Sequence, residues 1–242
     1  MRPGFVDCHS HVVPSGDDGA ASIADGIELC YLAAAGGTEV LYATPHVWPH
    51  LTLTPDREER IVEAFETIRE RAPLDLRLGY ELTPAAPLLA QDPRRYALEG
   101  TEVVLMEVPF TGSARPLIAL AEHVEAAGLV PLIAHPERTE VVQEDPDLPR
   151  ALAERGWRIQ VNASSLLGRH GEETERLAWE IVEGGYVDAI ASDGHRLTRP
   201  ARVEEAFQLL RARVGEEAAW GLVDGSALSA RPIPSRAAAQ GA

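Results

Sequence analysis

Short apolar runs alternate with helical patterns along almost the whole chain, and nine potential metal ligands lie at or just past the ends of those runs. The runs cover residues 5–8, 39–43, 75–80, 102–108, 129–134, 157–162 and 187–192. Several, such as EVLYA and VPLIA, are almost continuously apolar, as expected of strands buried on both faces of a parallel sheet. Between them lie amphipathic helices. One begins near Ser22, carries Ile23, Ile27 and Cys30 on one face, and stops at Gly36-Gly37. Another begins at Thr54-Pro55, a capping residue followed by proline, and carries Ile61, Phe65 and Ile68 at helical spacing. A third ends at Gly128. Seven strand-helix units without a linker predict one α/β domain, a closed or nearly closed barrel over residues 1–230. Residues 231–242 read as a poorly ordered tail.

The ligands are His9 and His11 in FVDCHSH, Asp18 in SGDDGA, His46 in ATPH, Glu81 in GYE, Glu107 in LME, His135 in AHP, and Asp193 and His195 in IASDGH. Residues two apart on a strand point the same way, so each X-x-X pair can serve one site. Five imidazoles and four carboxylates exceed what one zinc ion uses. They predict two or three divalent ions and metal-assisted hydrolysis. Parallel barrels carry their active sites at this end of the strands. Of the neighbouring Asp17 and Asp18, one can reach a metal while the other shapes a turn. Glu81 and Glu107 close apolar strands, where a buried carboxylate needs an ion or an Arg partner. His123 belongs to a helix as a surface or packing residue, and His50 and His170 fall in loops.

Composition narrows the reaction. A formal net charge of -16 in 242 residues argues against a protein that coats nucleic acid, which would show a basic face. All 22 basic residues are Arg, so Schiff-base chemistry and carbamylated-Lys metal bridges are excluded. Cys8 and Cys30 read as small buried residues, and two cysteines make no disulfide scaffold. No signal-peptide pattern opens the sequence, and no apolar run approaches the roughly 20 residues of a membrane span. A cytoplasmic location is expected. Four carboxylates and three divalent ions leave a charge of roughly +2, to which Arg138 and Arg199 add. Such a pocket favours a phosphate dianion over a neutral amide.

The series HSH…DDGA, ATPH, GYE, LMEVPF, IAHPER, QVNASSLLGRHG and IASDGH resembles the PHP (polymerase and histidinol phosphatase) superfamily, from Asp7 to about Pro200. Within it the chain is most similar to the bacterial metal-dependent tyrosine-protein phosphatases of CpsB/YwqE type. That resemblance implies a distorted (β/α)7 barrel with three divalent ions on the nine ligands, manganese first, with iron or zinc as alternatives. It favours Asp18 over Asp17 and makes Arg138 and Arg199 the phosphate-binding arginines. Hydrolysis of phosphotyrosine on protein is expected, by attack of a metal-bridging hydroxide on phosphorus. Trp48 and Phe110 are candidates to flank an aromatic substrate. Relatives act on the Tyr-rich tail of a kinase that controls polysaccharide export.

This chain also departs from the family pattern. Val47 stands where a second His is common, SDGH replaces SDAH, and the segment before Arg199 is one residue short, which makes Arg196 its rival. The helix after DDG lacks the charged stretch of relatives that form homo-oligomeric rings. A histidinol-phosphate phosphatase is the nearest alternative. A TatD-like nuclease, which lacks the DDG loop and the closing D-x-H, is more distant, as is a non-catalytic regulatory module.

Overall fold

The seven expected runs all contain strands, and two of them resume as a second short strand past a break. In the computed structural model, which describes residues 4–229, the strands are β1 (Phe5–Ser10), β2 (Thr38–Ala43), β3 (His46–Val47), β4 (Asp75–Leu78), β5 (Glu81–Leu82), β6 (Val103–Glu107), β7 (Val130–Ala134), β8 (Arg158–Asn162) and β9 (Ala189–Ala191). The tail expected at 231–242 lies outside the described residues. All pairings are parallel, in the orders β1-β2-β4 and β3-β5-β6-β7-β8-β9. The chain joins the two sheets, because β3 continues β2 past Thr44-Pro45 and β5 continues β4 past Gly79-Tyr80.

Proline has no N–H to give the ladder, which explains the first break. At the second, a Cβ on Gly79 would lie 2.4 Å from Leu98 Cδ2, so only glycine fits. Hydrogen bonds still bridge both breaks, from Gly79 N to Ala43 O at 2.9 Å and from Glu81 N to Pro45 O at 3.2 Å. The circuit returns to β1 through Asp193 N to His9 O at 2.9 Å and His11 N to Gly194 O at 2.7 Å. The result is a single α/β domain of two parallel sheets, barrel-like in its order of strands.

Alternation along the strands separates two apolar layers. Val104, Met106, Ile133, Ile159, Val161 and Ile190 join the larger core with the helices. Val103, Leu105, Leu132, Ala134, Ala189 and Ala191 form a smaller cluster with Cys8 and Tyr42. Both cysteines are buried and free. Helix α1 (Ile23–Ala35) is capped by Ser22, which accepts from Asp25 N, and buries Leu29, Cys30 and Ala33. Helix α2 (Pro55–Arg69) is capped by Thr54 and buries Ile61, Phe65 and Ile68. Helix α3 (Arg115–Ala126) follows β6. Between β5 and β6 stand two 3-10 turns, Ala86–Ala90 and Pro93–Tyr96, in place of an α-helix. Pro84, Pro87 and Pro93 explain this, since each removes a helix donor. Among the described residues, no helix is long and apolar enough to cross a membrane.

Candidate metal centre and active-site cavity

All nine predicted ligands meet at the C-terminal ends of the strands. Three groups have ligand atoms within 4.8 Å of one another: His11, His46 and His195; His9, Glu81 and His135; and His9, His11 and Asp193. Glu81 Oε2 lies 2.9 Å from His46 Nδ1, 3.1 Å from His9 Nε2 and 3.3 Å from His11 Nε2. Asp193 Oδ1 lies 3.3 Å from His195 Nδ1 and 3.4 Å from His11 Nε2. Asp18 and Glu107 belong to none of the three groups. Asp18 Oδ1 faces His195 Nε2 at 3.4 Å and His46 Nε2 at 3.5 Å, on a half-exposed side chain. Glu107 is buried beside them and accepts a hydrogen bond from the Thr83 hydroxyl. Asp17 takes the other role foreseen for the pair: it accepts from Gly19 N at 3.1 Å and from His46 N at 3.0 Å, fixing the loop under His46.

This donor set fits divalent cations. Glu81 Oε2, Asp193 Oδ1, His11 Nδ1, His46 Nδ1 and His135 Nδ1 are buried without a hydrogen-bond partner. Buried polar atoms are nearly always paired, so this many orphans in one place mark a missing electrostatic partner. His9 Nε2 and His11 Nε2 stand 3.1 Å apart, nitrogen to nitrogen. Two imidazoles on one ion, with bonds of about 2.1 Å, would place their nitrogens about 3.0–3.4 Å apart.

The electrostatics agree. Burial alone would raise the Glu81 and Asp193 carboxyls, but the charge of His9 and the neighbouring imidazoles hold both well below the usual range. Burial would lower His9 and His46; the carboxylates, Glu81 foremost, instead drive them up to about 9 and about 11. His11, by contrast, is pushed down to about 4 by burial and by His195 and His46. Burial and the charge of Glu81 raise Glu107 to about 7. Protons stand in here for stronger cations.

Two ligands need unusual backbone. His135 adopts φ 31° and ψ 52°, and Asp193 has φ 51°, both in the left-handed region that side chains disfavour. The strands end there, and the turn aims each side chain back over the rim. Nothing in the sequence around either residue signals this.

A relay of amides, absent from the sequence reading, orients the ligands. Asp193 Oδ2 accepts from Asn162 Nδ2 at 2.7 Å, so Asn162 Oδ1 must face away and accept from Gln160 Nε2 at 2.8 Å. Gln160 Oε1 is then left to accept from His9 Nδ1 at 3.0 Å. A carboxylate only accepts, so every member's direction is fixed. With an ion in place of the second proton, His9 would keep its proton on Nδ1 and present the Nε2 lone pair to the cluster. Gln160 and Asn162 are two apart on β8 and so share a face, a signal that was legible. Glu137 is fully buried and accepts from Asn162 N at 3.0 Å and Ser165 Oγ at 2.7 Å, with burial raising it to about 7. In the sequence it looks like half of a surface pair with Arg138.

Asp18, His46, Glu107, His135, Asp193 and His195 line an open cavity of about 450 Å³ whose walls include Arg138, Arg199, Trp48, Phe110 and His50. Arg138 Nη1 donates to Asp193 Oδ2 at 2.8 Å, and Arg199 Nη2 donates to the same oxygen. Arg199 Nε is buried with no partner. Arg196, the rival, points outward and donates to Asp18 O at 3.1 Å. Trp48 stacks on His46 with centroids 4.4 Å apart and on His50 at 5.3 Å. Phe110 is 46% exposed at the mouth, with the Arg138 guanidinium 5.7 Å from its ring centroid. His170 lies outside the cavity wall, its Nε2 2.8 Å from Ser164 Oγ. His123 binds Gln91 O at 2.9 Å, a packing role. Val47 is buried in the core.

Known proteins resemble this chain along most of their length. The chain is 31% identical over 236 residues to tyrosine-protein phosphatase YwqE of Bacillus subtilis (strain 168), covering 94% of this chain and 92% of the relative. It is 26% identical over 228 residues to tyrosine-protein phosphatase CpsB of Streptococcus pneumoniae, covering 89% and 93%. A crystal structure from work on YwqE and CpsB, described as unique metal-dependent tyrosine phosphatases, superposes with a TM-score of 0.81 at 30% identity over 90% of this chain and 91% of that chain. The phosphotriesterase homology protein of Escherichia coli shares only the fold, with a TM-score of 0.59 at 10% identity over 96% of this chain and 100% of that chain. A model of the family described as capsular polysaccharide synthesis, CpsB/CapC, matches residues 5–227. The chain therefore belongs to the CpsB/CapC family.

Proposed function

We propose that this protein is a metal-dependent phosphatase that hydrolyses phosphotyrosine on protein. The observation that carries the reading is the convergence of three ligand groups beneath a cavity walled by Arg138 and Arg199. Three divalent ions, manganese first and iron or zinc otherwise, would be held by His9, His11, Asp18, His46, Glu81, Glu107, His135, Asp193 and His195. When bound, such ions polarise phosphate oxygens and make water acidic enough to serve as a nucleophile near neutral pH.

The chain's own residues do the rest. Arg138 and Arg199 bind the non-bridging phosphate oxygens and stabilise charge on the group in transfer, a task suited to planar guanidinium donors. Phe110 and Trp48 flank the aromatic ring at the mouth. Tyrosinate leaves with a pKa near 10, so no strong general acid is needed. Gln160 keeps the His9 proton on Nδ1, away from the cluster. By resemblance, the substrate is the Tyr-rich tail of a bacterial kinase that controls polysaccharide export, met in the cytoplasm.

Protein loaded with manganese should hydrolyse a phosphotyrosine peptide with kcat/KM at least about tenfold above that for a phosphoserine peptide or histidinol phosphate. A preference for histidinol phosphate would instead make this a small-molecule phosphatase. Metal analysis of protein purified without chelator gives the ion count.

A further inference from the structure

A second hollow of about 190 Å³ adjoins the active-site cavity, and the two share Trp48, Pro49 and Thr83. Their chemistries are opposite. The first is lined by carboxylates, imidazoles and guanidinium groups. The second is walled by Leu53, Ala85, Pro87 and Leu88, and among the described residues no charged side chain lines it. Its polar lining is self-satisfied at the deep end: the Tyr96 hydroxyl donates to Gln91 Oε1, and Gln91 Nε2 donates to Pro87 O at 3.4 Å.

The proline-rich 81–96 segment makes this hollow. Because prolines leave only two 3-10 turns between β5 and β6, no helix covers the groove beside β3. Leu53, Leu88 and Tyr96 are already buried around it, so the walls are pre-formed. Trp48, stacked on His46, is a shared rigid partition. A void of about 150 Å³ holds a benzene-sized guest, so this one suits a single apolar side chain.

We infer that the groove is a specificity subsite for an apolar side chain one or two positions from the phosphotyrosine in a polypeptide substrate. The inference rests on the phosphatase reading above and deepens it. Neighbouring residues have Cα atoms 3.8 Å apart, so a chain whose phosphotyrosine sits over the ions must cross the Trp48 partition or leave by the opposite wall. An acidic neighbour entering the groove would lose water and find no cation, whereas an apolar one gains from burial.

The test measures kcat/KM with the full manganese-loaded chain on paired peptides that differ only beside the phosphotyrosine, leucine against glutamate, with p-nitrophenyl phosphate as a substrate that has no neighbour. The leucine peptide should be favoured about tenfold or more. Ala85→Phe, which fills the groove, should collapse that ratio to about twofold or less. Leu88→Ala, which enlarges it, should move the preference from leucine towards phenylalanine. Each ratio is taken within one preparation, so partial misfolding does not alter it. Equal use of both peptides, a preference for glutamate, or a ratio unmoved in both variants overturns the subsite while hydrolysis of p-nitrophenyl phosphate leaves the phosphatase reading standing. Absence of turnover on every substrate overturns both.

Discussion

Arg138 and Arg199 converge on one oxygen, Asp193 Oδ2, although one closes the 3-10 turn after β7 and the other sits in a turn well past β9. The same oxygen takes a third donor from Asn162, while Asp193 Oδ1 is left without any. Asp193 thus divides its two oxygens, one towards the guanidinium wall and the other towards the imidazoles. A phosphate drawn to the ions would meet two donors already locked in direction.

Replacing either arginine should therefore impair chemistry without emptying the site. Arg138→Ala and Arg199→Ala should each lower kcat/KM by about 10²–10³, with metal content unchanged by elemental analysis. Arg196→Ala, at an outward-pointing residue, should stay within a few-fold of the parent. If Arg196→Ala is the more damaging of the two, the phosphate-binding role belongs to Arg196.

His135→Ala should behave in the opposite manner, abolishing turnover together with part of the metal content. Chelation of the intact protein should also lower its melting temperature, because ions that bind only the folded chain stabilise it by mass action. Restoring manganese should recover both. A melting temperature that ignores chelator would show that the nine ligands hold no ion in solution.

Gln160→Leu removes the acceptor that fixes the His9 tautomer and breaks the relay to Asn162. Manganese affinity, measured by competition with a chelating dye, should fall by about 10–100-fold. Unchanged affinity would mean that His9 needs no such orientation.

His170 gives a pH prediction. Burial, with Arg138 and Arg199 nearby, lowers it to about 4 from an ordinary 6.5. Bound cations would push in the same direction. Between pH 6.5 and about 4 the unfolded chain takes up a proton that the folded one refuses, so stability falls as pH drops through that window and is level above it. His170→Gln removes this contribution. Urea titrations at pH 7.5 and 5 should show the variant gaining on the parent at the lower pH; an identical difference at both would refute the assignment.

How much of this could be read beforehand varied with the kind of signal. Asp193 and His195 lie past β9, where a left-handed turn and not strand alternation aims the side chains, whereas His9 and His11 follow the local period of two at the end of β1. Capping residues marked α1 and α2 for the same local reason. Pro45 displays the first break in the sequence, but the one at Gly79-Tyr80 was hidden, since it depends on Leu98 packing across the strand. The choice between Arg196 and Arg199 was equally out of reach: a tight turn, closed by Arg199 N to Arg196 O at 2.7 Å, sends one outward and the other in. Glu137 is concealed by its neighbour, as an acid beside an arginine normally belongs to the surface. The groove beside Trp48 arises from prolines that the sequence displayed but whose missing helix only the fold reveals.

The left-handed turns at His135 and Asp193 set a limit on improving this enzyme. Backbone preference alone would favour glycine at both points. A search that relaxed the backbone at His135 would remove a side chain that the proposed reaction needs. A laboratory search for heat-resistant variants should therefore be screened for turnover from its first round.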